Sequence, residues 1–179
     1  HLAMLLRAKG DYERAEPLCL ETLAMRRRLY GDEHPMVAES LNNLGTLRQA
    51  QGDYDAAESL YRESLAMRRQ VFGEEHAEVA LSLDNLASLL YRKGDYDEAE
   101  LLFREALAMR RRLLGDEHPE VAVSLNNVAS LVYRRGDFSG AESLFREALA
   151  MHRRMFGDEH PEVARAQMEG GFSGMISFE

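Results

Sequence analysis

The chain has 179 residues, 45% of them apolar and 30% charged, a composition that supports a sizeable buried core and excludes wholesale disorder. Thirty-one acidic residues against 22 basic ones leave a net charge of -9, which argues against nucleic acid as a partner, because affinity for it comes mostly from counterion release by Lys and Arg. A single cysteine, Cys19, excludes an intrachain disulfide or a Cys-rich zinc site, and the chain has neither a run near the ~20 apolar residues of a membrane span nor a signal-peptide start. The expectation is a cytoplasmic chain with no membrane partner and no cofactor.

Two markers recur at a fixed interval. Gly10-Asp11-Tyr12 returns as Gly52-Asp53-Tyr54, Gly94-Asp95-Tyr96 and Gly136-Asp137-Phe138, 42 residues apart each time. Gly31-Asp32-Glu33-His34-Pro35 returns in the same phase as Gly73-Glu74-Glu75-His76-Ala77, Gly115-Asp116-Glu117-His118-Pro119 and Gly157-Asp158-Glu159-His160-Pro161. A fixed period of this length means a repeat architecture.

In chain order, residues 1–34 read as a partial repeat: the back half of a first helix through Lys9, then a second helix after Gly10-Asp11-Tyr12. Full repeats follow over 35–76, 77–118 and 119–160, a further helix starts over 161–164, and residues 165–179 form a tail outside the pattern. The chain thus begins inside a repeat and reads as truncated. Both ends lack polar caps, so apolar faces are expected there and end-to-end self-association is an alternative role.

Within each repeat both segments show helical spacing. Leu83, Leu86, Ala87 and Leu90 fall at i, i+3, i+4 and i+7, as do Leu125, Val128, Ala129 and Val132. In the second segment Ala99, Phe103 and Ala106 with Leu102, and Ala141, Phe145 and Ala148 with Leu144, alternate small and large residues for close helix contact.

The punctuation has physical causes. Pro35, Pro119 and Pro161 suit a first helical turn, and Gly52, Gly94 and Gly136 suit a stop with left-handed φ. Asp11, Asp53, Asp95 and Asp137 cap the helices that follow. Arg26-Arg27-Arg28, Arg68-Arg69, Arg110-Arg111-Arg112 and Arg153-Arg154 fall in last turns, where cations complement the helix dipole.

Helices punctuated by Gly-Asp-Tyr, with Ala, aromatic and Ala in the second one, resemble the tetratricopeptide repeat. The strings His34-Pro35-Met36-Val37-Ala38, Leu41-Asn42-Asn43-Leu44 and Ala15-Glu16-Pro17-Leu18-Cys19 are similar to its 42-residue kinesin light chain and nephrocystin-3 branch. The resemblance covers residues 1–164 and implies an all-α, right-handed superhelix of helical hairpins that binds extended peptide segments in a concave groove, as an adaptor or scaffold. The sensor segment of a larger signalling protein is a further alternative.

The groove is expected on the first helix of each hairpin. About 100° from the apolar stripe stand Asp84, Ser88, Tyr91 and Arg92, then Asn126, Ser130, Tyr133 and Arg134, with Asn42, Thr46 and Gln49 before them and Arg7 in the partial repeat. The resemblance implies peptide contact at these positions, foremost at Asn42 and Asn126. A carboxamide donates and accepts at once, Tyr91 and Tyr133 give area at low entropy cost, and Arg7, Arg92 and Arg134 favour carboxylates. The expected partner is a protein segment with acidic and aromatic or aliphatic residues, although Asp84 in place of the family's Asn works against a uniformly acidic one. Asn43, Asn85 and Asn127 either join that contact or, as buried amides, tie adjacent helices through backbone carbonyls.

Catalysis and metal binding have little support. His34, His76, His118 and His160 stand one per repeat, too far apart to share an ion, and read as helix-start structure. Cys19 lies mid-helix and reads as a small buried hydrophobe. No phosphate-cradling loop or nucleophile elbow occurs, so the chain reads as a non-enzyme. The tail, with Phe172, Met175, Ile176 and Phe178 among glycines, reads as a junction remnant, a makeshift cap or a strand for a neighbour's groove, the first two together being favoured.

Overall fold

The computed structural model describes residues 2–158 together with Pro161 and Val163. His160 and the tail 165–179 lie outside the described residues, as does part of the further helix start. Eight helices are described: α1 (Leu2–Ala8), α2 (Tyr12–Tyr30), α3 (Pro35–Ala50), α4 (Tyr54–Phe72), α5 (Ala77–Lys93), α6 (Tyr96–Leu114), α7 (Pro119–Arg134) and α8 (Phe138–Phe156). Among the described residues there is no strand, and no helix is long and apolar enough to cross a membrane.

The chain divides into two compact units, His1–Asp95 and Tyr96–Glu179. In the first, α1 to α5 pack each against the next in sequence; in the second, α6 packs on α7 and α7 on α8. Short turns between packed neighbours make them antiparallel hairpins. The second helices begin at residues 12, 54, 96 and 138, so the 42-residue interval of the sequence is also the interval of the structure.

The expected stripes are the core. Leu83, Leu86, Ala87 and Leu90 are at most 1% exposed, and Ala99, Phe103 and Ala106 at most 4%. Burial is wider than one stripe, for Leu47, Leu89 and Leu131 are also at most 1% exposed. The first helix of a hairpin is therefore covered on two sides and keeps only a narrow open strip. Filling such positions stabilises by about 2 to 3 kcal/mol per large side chain.

The starts of α2, α3, α4, α5, α7 and α8 each have a specific acceptor. Nδ1 of His34, His76 and His118 accepts from the backbone N–H of Met36, Glu78 and Glu120 at 3.1, 3.1 and 3.2 Å. The first two imidazoles also stack on Tyr30 and Phe72, with ring centroids 4.4 and 4.3 Å apart. Asp11, Asp53 and Asp137 accept from Arg14 N, Ala56 N and Gly140 N.

The arginine runs do more than complement a dipole. In the first three runs the first arginine turns inward onto the next helix. Arg26 donates to Met36 O and Ser40 Oγ at 2.8 and 2.9 Å. Arg68 donates to Glu78 O and Ser82 Oγ at 3.1 and 2.8 Å, and Arg110 to Ser124 Oγ at 2.6 Å. Ser40, Ser82 and Ser124 are themselves buried. The second arginine reaches outward, Arg27 to Glu63 and Arg111 to Glu147, each pair within one unit.

Two kinds of glycine turn separate the helices. Gly94 adopts φ 94° and ψ 5°, the left-handed region that other residues enter at moderate cost, whereas Gly73 adopts φ 86° and ψ 173°, a region essentially closed to side chains. A Cβ would meet nothing within 4 Å at either position, so the cost is conformational alone. Gly94→Ala is expected to cost about 1 kcal/mol and Gly73→Ala about 3 kcal/mol, in that order in urea unfolding.

Candidate functional site

The open strip of the first helices is where side chains escape the core. On α3 it carries half-buried Asn42, Asn43, Thr46 and Gln49; on α5, Asn85, Ser88 and Tyr91 with exposed Arg92; on α7, half-buried Asn126 with exposed Ser130, Tyr133 and Arg134. Arg7 is half-buried on α1. Asp84 differs from expectation. It is only 8% exposed and lies on the packed side of α5, because the buried arc is wider than the stripe predicted. Asn85, one residue on, takes its place at the surface.

Within the first unit the structure brings several of these residues together. Asn85 Nδ2 donates to Asn42 Oδ1 at 2.8 Å. The tie between α3 and α5 thus runs through a side chain, not through the backbone carbonyl expected. Thr46 Oγ1 turns back to donate to Asn42 O at 2.9 Å, and Ser130 does the same to Asn126 O at 2.8 Å. Tyr61, from α4, donates to Gln49 Oε1 at 2.9 Å and lies 3.1 Å from Thr46 Oγ1. Burial pushes its hydroxyl above the usual tyrosine range, while the Thr46 bond and the charge of Arg7 pull the other way. It is therefore a neutral donor at physiological pH.

Sequence reasoning missed Tyr61 and three apolar members of the strip. Tyr61 stands in a core column whose other members, Phe103 and Phe145, are ordinary hydrophobes, and only its hydroxyl betrays it. Leu81 and Val123 are 41% and 47% exposed, 42 residues apart and four residues before Asn85 and Asn127. On the second unit Tyr133 meets exposed Phe138 edge to face at 5.0 Å. The off-stripe spacing of Leu81 and Val123 was the available signal.

Several cations outside the strip are committed. Lys93 donates to Asp55 and to Glu58, both at 2.8 Å, and Arg135 bonds Glu100 and Asp97 at 2.6 and 3.0 Å. Arg48 and Gln51 hold Glu16 at 2.6 and 3.0 Å, and Arg154 grips Glu117 with two donors. Beside this ladder lies an open depression of about 390 Å³ lined by Asp53, Tyr54, Arg92 and Lys93. Cys19 is half-buried against the core of the first unit, and burial pushes its thiol up, away from thiolate chemistry. Among the described residues no group of three or more His, Cys, Asp or Glu is placed to hold a metal ion.

Within each unit, antiparallel helices tied by inward-turned arginines and open along one strip of each first helix make a helical-repeat scaffold. The chain belongs to the tetratricopeptide repeat family, whose model matches residues 1–70, 43–112 and 78–154. A search of curated proteins returns no match. Among solved structures it is similar to BtubC (BKLC) from P. vanneervenii, at 28% identity and TM-score 0.84 over 96% of this chain and 68% of that one. It is also similar to a kinesin light chain of Podosopora anserina with nearly identical TPR-like repeats, at 25% identity and TM-score 0.79 over 97% and 86%. The N-terminal domain of stress-induced protein-1 from C. elegans shares the fold, at 17% identity and TM-score 0.55 over 76% and 96%. The fold is thus an all-α solenoid of hairpins, in a family that serves generally as a protein-interaction module and non-catalytic scaffold.

The ladder has a pH signature. Bonds from Lys93 hold Asp55 and Glu58 below the ordinary carboxylate range, and those carboxylates raise Lys93 in turn. Depressed carboxylates contribute stability above their unfolded values near pH 4, lost as pH falls through the folded ones; the raised lysine contributes below its unfolded value near 10.4, lost on further alkalinisation. Lys93→Met is expected to return Asp55 to an ordinary midpoint and to raise that of Glu58, which keeps its bond to Arg62, in a carboxyl NMR titration.

Proposed function

We propose that the chain recruits extended segments of partner proteins along the open strips of its first helices and performs no chemistry of its own. The observation that carries this reading is the strip itself. On α7 a row of amide, hydroxyl, phenol and guanidinium groups, Asn126, Ser130, Tyr133 and Arg134, stands half-buried to exposed along one side of the helix. Tyr133 is 55% exposed beside Phe138 at 59%, large apolar area that ordinarily marks a contact surface.

Charge supports the partner chemistry. The chain carries -9 overall, yet the strips contribute Arg7, Arg92 and Arg134 as cations. Acidic side chains with aromatic or aliphatic neighbours are the complementary ligand, the carboxylates meeting guanidinium groups and the apolar residues meeting Leu81, Val123 and the Tyr133–Phe138 pair. Similarity to BtubC and to a kinesin light chain fits an adaptor or scaffold role.

The test is selection of dodecapeptides from a random displayed library, followed by Asn126→Ala with Tyr133→Ala. Truncating an aromatic anchor and its polar neighbour is expected to weaken the selected peptides by about 30-fold or more, on the order of 2 kcal/mol. Neither residue is fully buried, so the fold should hold by circular dichroism. Undiminished binding by the folded double variant removes the assignment on α7.

A further inference from the structure

The chemistry of α3 is more restricted than its residue types suggest, because most of its acceptors are already spent. Asn42 Oδ1 takes the Asn85 amide, Asn42 O takes the Thr46 hydroxyl, and Gln49 Oε1 takes the Tyr61 hydroxyl. Among the described residues neither Asn42 Nδ2 nor Gln49 Nε2 is engaged, and the charge of Arg7 is felt at Tyr61 beside them. A carboxamide whose oxygen is held by one donor is fixed in orientation and turns its N–H groups toward a ligand.

Tyr61 makes this arrangement. It is 3% exposed, and its ring presses so close to α3 that a Cβ on Gly45 would lie 2.9 Å from two ring carbons. Gly45 thereby gives the phenol its reach to Gln49. The equivalent positions one and two periods on are Ala87 with Phe103 and Ala129 with Phe145, pairs that lack both the space and the hydroxyl. The first unit therefore carries a polar device that the other repeats do not.

We propose that Tyr61 is a positioning residue of the recognition strip: by holding the Gln49 oxygen it presents the Gln49 amide as a donor and, with Asn42 held by Asn85, makes α3 a donor surface that selects oxygen acceptors on the bound segment. This deepens the peptide-binding reading and rests on it. The acceptor is a side-chain carboxylate or a main-chain carbonyl. It replaces the two-way hydrogen bonding that free carboxamides would offer.

Two readouts test it. In the free protein the Gln49 side-chain amide is expected to be ordered by ¹⁵N relaxation. Tyr61→Phe, which keeps the ring found at positions 103 and 145, loosens it to the level of exposed Gln70. With the strongest dodecapeptide recovered from the random displayed library, Tyr61→Phe is expected to weaken binding by about 3- to 10-fold, the worth of one hydrogen bond. Gln49→Ala loses the same factor and the double variant no more. Gly45→Ala with Tyr61→Phe, the pairing of the later repeats, guards against a packing defect and should match Tyr61→Phe alone. Replacing the acidic residues of the peptide by their amides abolishes the Tyr61 effect if a carboxylate is the acceptor and leaves it if a main-chain carbonyl is. Unchanged amide order in Tyr61→Phe, or losses that multiply in the double variant, overturns the proposal. A library that yields no binder sinks the peptide reading instead, while amide order still decides what Tyr61 does.

Discussion

One inward-turned guanidinium per joint, half-buried at Arg26 and buried at Arg68 and Arg110, is the constraint on which the packing of successive helices depends. Arg26, Arg68 and Arg110 leave the ends of α2, α4 and α6 and enter the first turns of α3, α5 and α7. Burying a cation costs several kcal/mol unless its donors are met. Here a buried serine meets them at every joint, helped by a main-chain carbonyl at the first two and by a glutamate at all three: Glu39 lies 3.3 Å from Arg26, Glu78 3.0 Å from Arg68 and Glu120 3.2 Å from Arg110. A lysine has no planar fork to reach such partners together. The result is that the end of one helix is tied to the start of the next by directed hydrogen bonds as well as by apolar burial.

That constraint leaves the rest of the chain its tasks. With the joints locked from inside, the outer carboxylates and cations form rungs such as Lys93 with Glu58, which are individually weak but leave few cations unpaired at the surface. The glycine turns set where helices reverse, and the histidine caps where they restart. The strip on the first helices lies outside the core, and it is there that amides, phenols and guanidinium groups reach the surface. Recognition in this account is the residue of packing: the part of each helix that neither the core nor the ladder uses.

The architecture was open to reading because punctuation repeats in phase: glycine, aspartate and histidine each stand where the backbone needs them, and Tyr12, Tyr54, Tyr96 and Phe138 begin helices as the pattern requires. The roles of individual polar groups were less open. An arginine run at a helix end looks the same whether it complements a dipole or plugs a joint; only the constant separation of Arg26 from Ser40, Arg68 from Ser82 and Arg110 from Ser124 hints at the second. Asp84 was misplaced because a single-stripe helix was assumed where two sides are covered. Tyr61 was missed because a phenol in a column of phenylalanines reads as core, and its function depends on the glycine opposite, a contact that no local pattern contains.

The most direct test of the joint is a double-mutant cycle between Arg68→Met and Ser82→Ala, set against the exposed pair Arg27→Met and Glu63→Ala, by chemical denaturation. The buried pair is expected to couple by about 1.5 to 3 kcal/mol, as hydrogen bonds to charged groups do, and the exposed pair by less than about 1 kcal/mol. Equal, small coupling in both cycles would contradict the account, since the hairpins would then be held by apolar burial alone.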